Sequence, residues 1–386
     1  MKIKICVVTG SRAEYGLLYP LLKLLAEDKA FNLSLIATGM HLSSAFGNTY
    51  KEIEKDFKIS GKVNMLCPGN SEKYVSKSIG KGIIKFADTF DALKPDLVMV
   101  LGDRFEIFAA VVAAFVGKIP IAHIHGGEVT EGAIDDAFRH SITKMSQYHF
   151  VAAEEYKKRV VQLGESPDRV FVTGALGIDV IENIELLPKN QLEKALGFSF
   201  GDRNILATFH PATLDKTSSE KQFKVILGAL NSLENTKIIF TKANADAGGM
   251  KINSLIDKYV RANPARAKAF VSMGQLKYLS TMKYADVVLG NSSSGIIEAP
   301  AFGIPTVNIG DRQKGRLKAK SIIDVRPKKE EIVKSIKKAI SNDFKNLCKK
   351  AVNPYGGGDA SNKIVKILKQ NLNNMDFNKR FYDLNG

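Results

Sequence analysis

The sequence predicts two α/β domains, each a doubly wound parallel sheet with helices on both faces. Three observations carry that expectation. Short runs of Val, Ile and Leu alternate with helical periods, and a continuous apolar strand followed by a polar turn and a helix marks a parallel sheet covered on both sides. The rhythm pauses in the polar stretch Glu182–Asp202 and then begins again over a similar length. The chain has 386 residues, which suits two or three domains at about 150 residues each.

Taken in order, Lys2–Thr9 reads as a buried strand that turns at Gly10 into a helix with Leu17, Leu18, Leu21, Leu22 and Leu25 on one side. Leu33–Thr38 is the second strand, and Ser71–Leu93 is a long helix stopped by Pro95. Asp96–Leu101, Pro120–Ile124, His149–Ala153 and Val170–Thr173 complete the first half. In the second half the strands are Ile205–Phe209, Lys237–Thr241, Ala269–Met273, Asp286–Leu289 and Thr306–Ile309. A closing helix is expected over Asp359–Leu372. The boundaries that follow are 1–180 for the first domain, 181–364 for the second, and a C-terminal segment from about 365 to 386 that packs back on the first. A hinge near residues 175–200 would let the carboxyl ends of both sheets face one cleft, where ligands of such folds bind.

Composition excludes several classes. Apolar residues make up 45% and charged residues 25% of the chain, as in ordinary globular proteins rather than disordered or rod-like ones. The longest uncharged apolar stretch, Ile107–Gly117, is 11 residues long, against about 20 for a membrane span. The apolar run after Lys2 and Lys4 stops at Thr9-Gly10, too early for a signal-peptide core. Cys6, Cys67 and Cys348 fit neither a disulfide framework nor a zinc module. A reducing, cytoplasmic setting is expected.

The formal net charge is +16, which favours anionic partners. Residues 311–350 alone hold 14 Lys/Arg against 5 Asp/Glu. There a helix over Glu330–Ser341 puts Ile332, Val333, Ile336 and Ile340 on one face and lysines on the solvated face. With no zinc-finger, RNA-recognition or basic-zipper pattern in the chain, nucleic acid is not an expected partner and a phosphorylated small molecule is.

The polar residues that follow each strand are the candidates for chemistry. They include Gly10-Ser11-Arg12, Gly39-Met40-His41, Gly102-Asp103-Arg104, His125-Gly126-Gly127-Glu128, His210-Pro211, Asn244-Ala245-Asp246, Gly290–Gly295 and Gly310-Asp311-Arg312. Gly290–Gly295 (GNSSSG) leads from a strand into an expected helix, Ile296–Phe302, and reads either as an anion cradle or as a serine cap. Gly310-x4-Gly315 lacks the Lys-Ser/Thr of a P-loop, and no G-x-G-x-x-G follows the first strand, so neither a Walker nucleotide site nor a dinucleotide cofactor is expected. His123, His125 and Glu128 resemble a metal cluster but lack a completed ligand spacing. Strand packing for His123, and cleft roles for His125 and Glu128, are preferred over a metal. His140 reads as a satisfied helix-face histidine. Asp103 is either a site carboxylate or the cap of a helix starting at Phe105. Asp135 and Asp136 are further candidates.

Together these segments resemble the hydrolysing UDP-N-acetylglucosamine 2-epimerase family. The resemblance is carried by GSRAEYG (10–16), TGMHLSSAFGNT (38–49), LGDRFE (101–106), HIHGGEVTEGAIDDAFRHSITK (123–144), TFHPAT (208–213), NADAGG (244–249) and GNSSSGIIEAPAFGIPTVNIGDRQKGR (290–316). It runs from residue 3 to about 370. It implies a GT-B-like pair of Rossmann-type domains with a sugar nucleotide in the interdomain cleft, no cofactor and no metal, and a homodimer or homotetramer. It also implies an enzyme of bacterial sialic or legionaminic acid synthesis that releases UDP and N-acetylmannosamine.

Carbon 2 of an N-acetylhexosamine is not activated by a carbonyl. The implied route is therefore anti-elimination of UDP to a 2-acetamidoglucal, followed by rehydration with inversion. By the resemblance, Arg12, Ser292, Ser293 and His210 hold the diphosphate, with His210 also acting as it leaves. Glu298 accepts from the ribose, and Asn244, Asp246 and Arg312 stand around nucleotide or sugar. Asp103 and Asp135 match the catalytic carboxylates, with Arg104 and His41 beside them. Relatives carry Glu where this chain has His125, so either His125 or Glu128 takes that acid/base role. A second sugar, UDP- or GDP-linked N,N′-diacetylbacillosamine, and a GT-B glycosyltransferase are the alternatives.

Overall fold

The computed structural model describes residues 2–384 except 70, 132, 212–217, 244–247 and 372–376. The first sheet contains β1 (Ile3–Thr9), β2 (Phe31–Thr38), β3 (Ile59–Val63), β4 (Leu97–Leu101), β5 (Ile121–Ile124), β6 (Tyr148–Val151) and β7 (Val170–Val172). The second contains β8 (Arg203–Thr208), β9 (Thr236–Thr241), β10 (Ala267–Phe270), β11 (Val287–Gly290), β12 (Thr306–Ile309) and β13 (Ile322–Val325). Their orders are β3-β2-β1-β4-β5-β6-β7 and β10-β9-β8-β11-β12-β13. The strand pairs in both are parallel. The fold class is therefore the expected one: two parallel sheets of the doubly wound type. The order reverses once in each sheet, between β1 and β4 and between β8 and β11.

The chain forms two compact units, one of residues 1–128, 135–180 and 355–386, the other of residues 129–134 and 181–354. In the first unit one core layer packs Leu18, Leu21, Leu22 and Leu25 with Ile364 and Leu368 of the helix Ala360–Asn371. The opposite layer joins Phe86 and Phe90 to the apolar helix Phe105–Val116. In the second unit the corresponding layers are built around Phe223, Phe240 and Ile256, and around Leu196, Met282 and Val288.

Local signals explain the element ends. Ser11 caps the helix Arg12–Glu27, its hydroxyl accepting from Glu14 N–H at 3.4 Å. The helix Glu72–Leu93 ends with Lys94 in the left-handed region, just before Pro95. Two strands escape the sequence reading, β3 and β13. Both are edge strands with only partial burial, and β3 carries Gly61 and Lys62, so neither shows the continuous apolar run of a central strand. The helix expected over Ile296–Phe302 is also corrected. Ser293–Ile297 is one short α-turn, and a 3₁₀ turn, Ala299–Phe302, follows it, because Pro300 lacks the N–H that would continue the α ladder.

Gly290 ends β11 at φ +134°, and a Cβ there would lie 1.8 Å from the carbonyl oxygen of Thr208 on β8. Only glycine lets these two strand ends approach so closely. Gly290→Ala is expected to destabilise the second unit by about 3 kcal/mol or more, since backbone must move. Gly80→Ala, in an exposed helix position with nothing within 4 Å of the new methyl, is expected to stabilise by about 0.5–1 kcal/mol. Urea unfolding of both variants measures the contrast.

Candidate functional site

In open parallel sheets the loops on either side of the order reversal leave a crevice beyond the strand carboxyl ends. Several of the candidate residues follow those four strands. In the first unit, Ser11 and Arg12 follow β1 while Asp103 and Arg104 follow β4. In the second, His210 follows β8, and Asn291 and Ser292 follow β11.

Arg139 organises the first group, and the sequence reading does not single it out. It lies one turn after Asp135 in the helix Asp135–Met145, so the two share a face. Its guanidinium donates to Asp103 Oδ2 and, at 2.6 Å, to the backbone oxygen of His125, with Glu128 Oε2 at 3.8 Å. Asp103 is therefore an ion-pair partner and not a cap: the position before the helix Phe105–Val116 is Arg104, with no side-chain cap bond. The Asp103 side chain stays 17% exposed, against 3% for Arg139 and 1% for Glu128. Of the three, Asp103 is the group that a ligand can touch.

His125 has φ +65°, a conformation that costs a non-glycine residue and is concentrated at functional sites. Its Nε2 accepts from Leu176 N–H at 3.4 Å, which leaves the proton on Nδ1, 3.4 Å from Glu128 Oε1. A carboxylate behind an imidazole fixes its tautomer and its orientation. The following Gly127 has φ +76°, and a Cβ there would lie 2.4 Å from the oxygen of Tyr156, so the turn that brings Glu128 back under His125 requires glycine.

His123 is a packing residue. Its ring lies 2.8 Å from Gly102 O and 3.2 Å from Thr143 Oγ1, and burial pushes its pKa well below the usual value. Both nitrogens already have protein partners, which leaves no lone pair for a metal. Among the described residues no cluster of three metal-ligating side chains occurs. His140 pairs with Asp136 at 3.5 Å.

His41 departs from the expectation. It is fully buried, between Thr9 Oγ1 at 3.1 Å and Thr49 Oγ1 at 2.8 Å. Burial lowers its pKa to about 4, so at neutral pH it is an uncharged tie between β1 and the segment after β2, with no surface for a substrate. Arg104 is nearly buried as well, and donates to Glu106 Oε1 at 3.1 Å. Glu106 in turn lies against Gly39, where a Cβ would meet it at 2.7 Å.

In the second unit the carboxamide of Asn291 bonds both backbone groups of His210, accepting from its N–H at 2.7 Å and donating to its oxygen at 2.9 Å. Arg312 Nη1 and Gln313 Nε2 donate to the Asn291 carbonyl at 3.1 and 2.9 Å. Ser292 caps the turn that follows, its hydroxyl accepting from Ser294 N–H at 3.3 Å, and Ser293 opens that turn. With only five residues the turn has little dipole. An anion here would be held by hydroxyls, backbone N–H groups and Arg312. Glu298 accepts from the Ser294 hydroxyl, and burial raises its pKa despite that bond. Asn244 and Asp246 lie outside the described residues.

One buried carboxyl under the first group was not anticipated. Glu14 Oε2 accepts from Gly10 N–H at 2.9 Å, and its Oε1 has no hydrogen-bond partner among the described residues. Burial pushes its pKa up to about 8, against the pull of Arg104. The folded state thus holds a proton that an unfolded chain releases near pH 4.5, and the stability this adds is lost as pH rises from 4.5 through 8. Each pKa unit is worth about 1.4 kcal/mol. Urea unfolding at pH 5 and pH 8 is expected to show a smaller loss of stability for Glu14→Gln than for the parent protein.

The profile of the family described as UDP-N-acetylglucosamine 2-epimerase matches residues 23–369. The chain is 45% identical to the GDP/UDP-N,N′-diacetylbacillosamine 2-epimerase (hydrolyzing) of Campylobacter jejuni, across 99% of this chain and 100% of that one. It is 41% identical to polysialic acid biosynthesis protein P7 of Escherichia coli, across 99% and 97%. Its fold resembles the crystal structure of the UDP-GlcNAc 2-epimerase from Neisseria meningitidis bound to UDP-GlcNAc, with a TM-score of 0.79 at 22% identity, covering 96% of this chain and 100% of that one.

Proposed function

This chain belongs to the UDP-N-acetylglucosamine 2-epimerase family, and from that premise we propose that it is a hydrolysing 2-epimerase. It would take a UDP-linked 2-acetamido sugar and water, and release UDP and the free sugar inverted at carbon 2. The observation that carries this reading is the pairing of a part-exposed, arginine-held carboxylate, Asp103, with an imidazole whose proton faces a buried carboxylate, His125 and Glu128. A proton must leave carbon 2 and another must return on the opposite face, so two acid/base groups are needed, and here are two with different surroundings.

In this reading Asp103, Asp135 and His125 carry the protons, and Glu128 orients His125 rather than touching the sugar. The base removes the carbon-2 proton while the bond from carbon 1 to the diphosphate oxygen breaks. The C–H electron pair becomes the C1=C2 bond of a 2-acetamidoglucal, and the C–O pair leaves with UDP. Water then adds its hydroxyl at carbon 1 and a proton arrives at carbon 2. Arg12, Ser292, Ser293, His210 and Arg312 stabilise the charge that develops on the diphosphate. Glu298 takes the ribose hydroxyls, and Asn244 and Asp246 are assigned to the nucleotide or sugar by resemblance alone. No helix of the described residues is long and apolar enough to cross a membrane. A cytoplasmic enzyme working as a homodimer or homotetramer completes the reading.

Two sugars fit. N-acetylglucosamine, giving N-acetylmannosamine for a sialic-acid route, is supported by the family resemblance and by the relative named for polysialic acid biosynthesis. N,N′-diacetylbacillosamine is favoured by the 45% identity to the Campylobacter jejuni enzyme along the whole chain. UDP-GlcNAc and the UDP- and GDP-linked diacetylbacillosamines, each incubated alone with the protein, are expected to yield free nucleoside diphosphate and a 2-epimer from at least one. Asp103→Asn is expected to lose turnover about a thousandfold with UDP affinity within several-fold. Release only when an acceptor is added would instead identify a glycosyltransferase.

A further inference from the structure

Asn291 is 1% exposed, and every polar group it owns is committed to a neighbour. Its backbone N–H donates to Thr208 O at 3.1 Å, on the strand across the order reversal. Its carboxamide accepts from His210 N–H at 2.7 Å and donates to His210 O at 2.9 Å. Its carbonyl takes both Arg312 Nη1 and Gln313 Nε2. A side-chain amide that meets both backbone groups of one residue acts as a short piece of β-ladder. His210 can neither slide along the strand nor rotate its backbone without breaking one of the two bonds. Asparagine suits this position: aspartate has no donor for the His210 oxygen, and leucine has neither partner.

We propose that Asn291 is a positioning residue, which fixes His210, Ser292 and Arg312 in one frame so that the diphosphate is gripped as it leaves. The His210 backbone is held by its side chain, Ser292 is its direct neighbour in the chain, and Arg312 is held by its carbonyl. Gly290 makes the frame possible by letting the two strand ends close. The inference rests on the reading above, in which these three groups face the nucleotide. It adds the residue that ties them together without itself reaching the ligand. The ordering is of the kind that catalysis depends on, since a displacement of about 1 Å at a reacting group can cost a hundredfold in rate.

The test compares the parent protein with Asn291→Ala, Asn291→Asp, His210→Ala and the double variant His210→Ala/Asn291→Ala. Thermal melting, UDP affinity by calorimetry and turnover by UDP release are measured for each. Asn291→Ala is expected to fold, to lose turnover by about a hundredfold and to bind UDP roughly tenfold more weakly. Asn291→Asp, which keeps the acceptor for His210 N–H, is expected to fold and to lose at least about tenfold in turnover. In the His210→Ala background, adding Asn291→Ala is expected to cost less than about threefold in turnover, because the Asn291 side chain acts through His210, while Arg312 and Ser292 are tied to the backbone of residue 291, which the substitution leaves in place.

Single variants within twofold of the parent, or a double variant whose losses multiply, would overturn the inference. So would failure of both Asn291 variants to fold, which would make Asn291 a support of the fold. A parent protein that releases no UDP from any of the three sugar nucleotides would overturn the functional reading instead, and the two failures are therefore told apart.

Discussion

Crossovers between parallel strands are right-handed, so the loops leaving two neighbouring strands part to opposite faces wherever strand order reverses. Each of the two sheets has one such place, β1 beside β4 and β8 beside β11. The opening has a cost in polar groups, because backbone and side chains there lose the neighbours that a regular ladder supplies. What the chain does at the two reversals follows from how it meets that need.

At the first it uses charge. Arg139 reaches from a helix to hold Asp103, the His125 carbonyl and the side of Glu128, and Arg104 is matched to Glu106 below. Burying a guanidinium is tolerable only with several acceptors, and here it has them. The result is a carboxylate held at a fixed point with part of its surface open. The same arginine holds the backbone of an imidazole residue in a strained conformation, whose ring proton is aimed at a second carboxylate. At the second reversal the chain uses neutral hydrogen bonds, with Asn291 standing in for a missing stretch of ladder and Gly290 allowing the close approach. Charged groups stand at one and a hydroxyl-rich, arginine-flanked turn at the other, the chemistry that the proposed proton transfer and diphosphate binding call for.

Much of this was legible in the sequence, for physical reasons. Central strands of a parallel sheet are apolar on both faces, so their positions stand out, and the residues just after them could be named as candidates from Arg12 to Arg312. The edge strands β3 and β13 were not legible, because a half-exposed strand has no continuous apolar run. His41 looked like a site residue because it follows a strand, yet Thr9 and Thr49 enclose it. Arg139 was missed, and Asn291 was carried only as part of the Gly290–Gly295 segment with no role of its own, for the opposite reason. An arginine inside an amphipathic helix and an asparagine in a serine-rich turn look ordinary, and only the fold reveals that each has three partners or more. The capping reading of Asp103, even with the site reading on sequence alone, failed because Arg139 claims the carboxylate.

In the proposed reaction carbon 2 surrenders its hydrogen to the protein, and thence to water, when the anomeric bond breaks. Turnover in heavy water, with the released sugar read by NMR, tests this most directly. One deuteron at carbon 2 of a free, inverted sugar is the predicted result. Retention of the original hydrogen at that carbon, or an inverted sugar still joined to UDP, would contradict it.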